Sequence, residues 1–199
     1  MLERLRKKRI NFKLKKCVFA KTEVPYLGHI IDGSTTRMQE EKLKAILEWP
    51  TPKKTKDIEE FRGRGLAGYY RQYIDKFSDR MEPLNERIRT RTFSWGEREE
   101  TSFTDIKDRY KENQILILFD YEKQIWVHAD ASDYALGSVI SQKDAQGRLR
   151  PVLFYSRKLL PAERNYSTPD KELLAMTFLS VLAGPECNFI VSPASLYSS

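Results

Sequence analysis

Cysteine and histidine are both scarce, at two residues each in 199. Cys17 and Cys187 lie far apart, with no neighbouring Cys or His at metal spacing, so neither a disulfide framework nor a zinc site is expected. Long apolar runs are missing too: none approaches the roughly 20 residues that a membrane span needs. The N-terminus is charged rather than apolar, unlike a signal peptide. An intracellular protein without a membrane partner is expected, in the cytoplasm or a particle, with the nucleus an alternative. Internal repeats are lacking as well, which removes solenoid and propeller architectures.

Hydrophobic residues make up 40% and aromatics 12%, enough to build cores for one ordinary domain or two small ones. The net charge of +7 is unevenly distributed. Residues 1–21 hold nine Lys/Arg against Glu3 alone, a charge of +8, which leaves −1 for the other 178. Arg4, Lys7, Lys8, Arg9, Lys13, Lys15 and Lys16 are candidate contacts to a phosphate backbone, interleaved with apolar residues that could dock on a core. A solvated basic helix accounts for the same charges.

Periodicity supplies a coarse map. A short basic helix is expected over residues 2–9, then strands over Cys17–Ala20 and Val24–Ile31 with a turn at Asp32-Gly33-Ser34. Leu43, Ile46 and Leu47 recur at helical spacing, and the helix must end before Pro50 and Pro52, a stiff connector. Ile58, Phe61, Leu66, Tyr69, Tyr70, Tyr73, Ile74 and Phe77 suggest helices with an aromatic face, interrupted near Gly63 and Gly65. Tyr70 and Arg71 are candidates for base stacking and phosphate contact, although aromatics at helical spacing more often pack in a core. An amphipathic helix is expected over Glu97–Tyr110, with Phe103 and Ile106 inward. Beyond Asp120 three strands read as an antiparallel meander: Ile125–Val127, Ala135–Ser141 and Val152–Tyr155, with a hairpin turn at Asp144–Gly147. Thr168 is the expected N-cap of a helix whose apolar side includes Leu173, Leu174 and Phe178. Gly184 and Pro185 end it, and a Ser-rich, frayed tail follows.

Asp130 stands at the end of the first meander strand, and Glu172 is expected in the first turn of the following helix. A strand carboxylate facing a helix carboxylate can gather the oxygen ligands that Mg²⁺ requires. Alone, such a pair is more often surface decoration.

Five stretches in order give the pair more weight: Tyr26-Leu27-Gly28-His29-Ile30-Ile31; Glu48-Trp49-Pro50-Thr51-Pro52; Gly65-Leu66-Ala67-Gly68-Tyr69-Tyr70-Arg71; Asp130-Ala131-Ser132-Asp133-Tyr134; and Tyr155-Ser156-Arg157-Lys158-Leu159 with Asn165-Tyr166-Ser167-Thr168 and Lys171-Glu172-Leu173-Leu174-Ala175. Together they resemble the polymerase-to-ribonuclease H region of gypsy-type long-terminal-repeat retrotransposon Pol polyproteins, over about residues 2–176. The resemblance implies a mixed α/β chain: a palm edge over 1–50, a thumb-like helical unit over 51–92, a connection helix over 93–120, and an incomplete ribonuclease H-like domain over 121–183, built as a three-stranded antiparallel meander plus helix. Residues 184–199 stay unmatched, an expected disordered tail with an open sheet edge.

By the same resemblance Asp130 and Glu172 are catalytic metal-binding carboxylates for Mg²⁺, Asp133 is structural, and the partners are an RNA/DNA hybrid or other nucleic acid and the remainder of the Pol polyprotein. The chain departs from the family in three ways. No Tyr-x-Asp-Asp polymerase turn occurs in it. Arginines intrude at Phe61-Arg62-Gly63-Arg64-Gly65, which puts the thumb packing in question. The match stops near Met176, before the family's later metal ligands. An enzyme-derived segment that does not act alone is therefore expected, with a non-catalytic nucleic-acid-binding module or a degenerate remnant as alternatives.

Overall fold

The computed structural model describes residues 2–9, 13, 20–64, 66–112, 115–183 and 187–191. The chain opens with the basic helix α1 (Leu2–Lys7), as its composition implies. The expected strand over Cys17–Ala20 lies outside the described residues apart from Ala20, which sits in a bend. The expected single strand over Val24–Ile31 is instead a hairpin, β1 (Glu23–Tyr26) and β2 (His29–Asp32), paired antiparallel. Leu27 (φ 47) and Gly28 (φ 85) form its turn, and Gly28 tolerates the positive φ. A side chain there would also collide with the Tyr70 hydroxyl, which donates to the Gly28 carbonyl at 2.8 Å.

Asp32 closes the next turn by accepting from the Ser34 and Thr35 amides and the Thr35 hydroxyl. β3 (Thr35–Met38) follows, then α2 (Glu40–Leu47), which ends ahead of Pro50 as expected. Next come α3 (Thr55–Glu59), a π-helical turn (Glu60–Arg64), α4 (Leu66–Tyr69), a 3-10 turn (Arg71–Tyr73), α5 (Phe77–Arg80), α6 (Glu82–Thr90) and α7 (Glu97–Glu112). The chain then returns as β4 (Ile115–Ile117) to pair with β3, giving a first sheet of order β1-β2-β3-β4.

One core serves all of this. Ile46, Ile58, Phe61, Leu84, Phe103 and Ile106 are fully or almost fully buried in it, so the segment boundaries read near residues 50 and 92 fall inside a shared core. Packing of this helical segment, which the arginines put in question, holds at Phe61. The π turn directs Phe61 inward against Phe103, with ring centroids 4.9 Å apart, while Arg62 stays outside. Tyr110 ties α7 to α4, its hydroxyl donating to the Ala67 carbonyl at 2.6 Å, and burial pushes that phenol's pKa up.

The second sheet has the order β7-β6-β5-β8. β5 (Ile125–Ala131), β6 (Ala135–Lys143) and β7 (Leu149–Lys158) form the expected antiparallel meander, and Ile125, Val127 and Ala129 alternate into its core. Asp144 and Gly147 (φ 76) make the β6–β7 turn. Gln142 is fully buried and bonds the Asp120 amide and carbonyl and the Lys123 carbonyl, pinning the entry loop to β6.

Two details of α8 (Thr168–Ala183) differ from the expectation. Ser167, not Thr168, caps it: the Ser167 hydroxyl donates to Asp170 at 2.6 Å and accepts from the Asp170 amide. The sheet also does not end at β5. β8 (Cys187–Val191) lies parallel to β5, so part of the disordered tail expected over 184–199 is a strand, and β5 is an interior strand. Residues 192–199 lie outside the described ones. Among the described residues no helix is long and apolar enough to cross a membrane.

Candidate functional site

Asp130 sits near the end of β5, directly opposite Gly137 of β6. The missing side chain at Gly137 leaves room for another side chain to pass. A Cβ there would come within 3.3 Å of the Lys76 Cγ, because the Lys76 stem crosses β6 at that point. Its ammonium ends on the Asp130 carboxylate. Lys76 stands just before α5 in the left-handed region (φ 52, ψ 35), a conformation that costs a non-glycine residue on the order of 1 kcal/mol and here aims the side chain at the second sheet.

Further contacts hold α5 and α6 against that sheet. The Ser132 hydroxyl donates to Asp79 at 2.5 Å, Lys158 donates to Glu82 at 2.6 Å, and the Ser78 amide donates to the Ser156 hydroxyl at 2.9 Å. Burial pushes the Asp79 carboxyl above the usual range, against the hydroxyl of Ser132 and the charge of Lys76, while Asp130 and Glu82 add repulsion. The Asp130 hydrogen bond holds the Lys76 ammonium above its ordinary pKa of 10.5, and partial burial opposes it. A lysine raised in this way stabilises the fold fully below its unfolded value and loses that contribution as pH rises through the folded one.

Both partners keep nearly half their side-chain exposure, 44% and 47%, so solvent screens the pair. Lys76→Met should cost less than about 1 kcal/mol at neutral pH. Denaturation of both proteins from pH 7 to 11.5 checks this, and the gap should close as lysine deprotonates. A gap unchanged across that range would remove the ion pair as its cause.

Glu172 lies one turn into α8, half-buried, rather than in the first turn, where Asp170 is the dipole-facing acid. The neighbouring Lys171, itself 7% exposed, reaches the largely exposed Asp133 at 3.2 Å. A two-metal centre needs several converging carboxylates. Among the described residues no group of three His, Cys, Asp or Glu side chains could hold a metal. Asp130 is matched with an internal ammonium, and the residues present do not fit the implied Mg²⁺ site.

The nucleic-acid candidates divide. Arg4, Lys7, Lys8, Arg9 and Lys13 are exposed, whereas Lys15 and Lys16 lie outside the described residues. Arg71 is exposed. Tyr70 corrects the sequence reading: it is 1% exposed and cannot stack on a base. Burial, with the neighbouring Tyr69 and Tyr73, pushes its hydroxyl up to about 12. It packs edge-on to His29 and Tyr69, so the aromatic spacing reports a core. Lys76, Asp79 and Ser132 escaped the sequence reading. Gly137 inside a strand is the only local sign that another chain segment passes close by.

Residues 95–180 match the family described as the RNase H-like domain found in reverse transcriptase. The retrovirus-related Pol polyprotein from transposon 297 of Drosophila melanogaster is 37% identical over 171 residues, covering 85% of this chain and 16% of that protein. The Tf2-3 transposon polyprotein of Schizosaccharomyces pombe is 32% identical over 177 residues, covering 88% and 13%. The chain thus spans under a fifth of these relatives. Foamy viral protease-reverse transcriptase superposes with a TM-score of 0.70 in complex with RNA/DNA hybrid (21% identity, 89% of this chain, 24% of that one). In complex with dsDNA the TM-score is 0.72 (20% identity, 92% and 40%). At that identity the likeness is one of fold.

Proposed function

Because the chain is a segment of the gypsy-type retrotransposon Pol family and carries an RNase H-like domain, we propose that it serves an RNA-directed DNA polymerase and hybrid ribonuclease by holding the nucleic acid, not by cutting it. The observation that carries this reading is the Lys76 ammonium on the Asp130 carboxylate. Hydrolysis of an RNA phosphodiester by a two-metal route needs carboxylates free to collect Mg²⁺, and a positive side chain on the first of them competes for the same oxygens. The exposed cations of residues 4–13 supply phosphate contacts that need no metal. Nucleic acid of the hybrid class is the proposed partner, and the rest of a Pol polyprotein the proposed context.

The test uses the 199-residue chain with a labelled RNA/DNA hybrid, scored for retention and cleavage in one series with Mg²⁺ or Mn²⁺. Salt-sensitive retention without cleavage is expected. Cleavage that Asp130→Asn abolishes would overturn the reading, as would failure to retain the hybrid at low salt.

A further inference from the structure

A cavity of about 570 Å³, which Asp130 does not line, opens between the π turn, α5, α6 and the end of β7. Every charged side chain lining it is a cation: Arg62, Arg71, Arg89 and Lys158. Only one strongly buried carboxylate compensates them. Glu82 receives Lys158 at 2.6 Å and Arg89 at 3.7 Å, while Arg89 also reaches Glu86 at 4.0 Å. Among the described residues neither Arg62 nor Arg71 forms an ion pair. Arg62 instead donates to the Asn85 side-chain oxygen at 2.9 Å, a neutral partner that orients the guanidinium without cancelling its charge.

The backbone places Arg62 deliberately. A Cβ at Gly68 would run into the Arg62 carbonyl, so the absent side chain lets the π turn lie against α4 and brings Arg62 to the rim. Phe77, Met81 and Ile88 give the same cavity an apolar lining.

We propose that this cavity binds one nucleotide unit by its phosphate. Two guanidinium forks free of carboxylates match phosphate oxygens, and the apolar lining suits a sugar or base. The volume lies in the range of small-molecule sites and is too small for a duplex. The proposal deepens the nucleic-acid reading above by assigning a discrete subsite, for an unpaired strand or a free mononucleotide.

Methyl-¹³C methionine spectra of the full chain test it, because Met81 lines the cavity and Met38 and Met176 do not. The Met81 signal is assigned with Met81→Leu. Titrations with inorganic phosphate, dAMP and a four-nucleotide single strand are compared. A saturable shift of Met81, absent at Met38 and Met176, is expected with dAMP or the strand, weakened at least tenfold in Arg62→Ala/Arg71→Ala and unchanged in Arg98→Ala, a cation outside the cavity. A tighter strand than dAMP identifies the unpaired strand as the source, and the reverse identifies the free nucleotide. No shift with dAMP and the strand, a response to inorganic phosphate alone, or a shift indifferent to the double substitution would overturn the proposal. A Met81 shift that persists in a chain failing to retain hybrid would separate this site from the function proposed above.

Discussion

Removing residues 1–21 should lower hybrid affinity by about two to three orders of magnitude at 50 mM salt and flatten its salt dependence. Each neutralised phosphate contributes about −0.7 to −0.9 to the slope of log K against log salt, so losing six to eight contacts would make that slope shallower by roughly four to seven. The deleted piece carries +8 and the remainder sums to −1. What is left cannot replace it by general attraction. Arg4, Lys7 and Lys8 recur at helical spacing along α1 and the turn after it, where the Lys8 amide donates to the Arg4 carbonyl at 3.1 Å, so they can address neighbouring phosphates together. Anisotropy titrations at four salt concentrations measure the effect, and equal slopes for both chains would show that the binding surface lies elsewhere. Replacing Arg4, Lys7, Lys8, Arg9 and Lys13 by Gln in the full chain separates lost charge from lost structure.

How much the sequence disclosed depended on whether a signal was local. The helix over 97–112 and the meander were legible because their apolar residues repeat with the period of the element that buries them. The β1–β2 turn was hidden because Leu27-Gly28 interrupts an otherwise strand-like run, and its geometry is completed by Tyr70, 42 residues later. β8 was missed for a related reason. Its run Cys187-Asn188-Phe189-Ile190-Val191 is strand-like, but it stands between Gly184-Pro185 and a serine-rich end, and its partner β5 lies about 60 residues earlier.

The site was half legible. Motif order pointed to Asp130 and Glu172, yet nothing near Lys76 announces that its side chain crosses β6 to reach Asp130. That contact depends on a left-handed backbone at residue 76 and an absent side chain at residue 137, and neither has meaning until the two sheets are placed. Tyr70 shows the opposite error, since an aromatic beside an arginine suggests a stacking platform and its ring is a core element.

Phe61→Ala should be among the most damaging single changes to the helical unit, costing about 3–5 kcal/mol and lowering the melting temperature by roughly 10 °C. Phe61 has no solvent exposure. Its ring meets Phe103 of α7 at 4.9 Å and Trp49 of the proline connector at 5.9 Å, so one side chain joins its own turn to the connector and to a helix 42 residues on. Truncation would leave a cavity lined by aromatic rings, which relax poorly into it. The π turn adds a second consequence. Phe61 and Arg62 are adjacent on that turn, one anchored in the core and the other at the rim of the cationic cavity, so loosening the anchor should also blur the position of the guanidinium. Phe61→Leu, which keeps most of the volume, should cost only about 1–2 kcal/mol and preserve the Met81 response to dAMP. Chemical denaturation of both variants provides the measurement. A loss under 1 kcal/mol for Phe61→Ala would mean that the π turn is not held by its aromatic anchor, and that Arg62 is positioned by its bond to Asn85 alone.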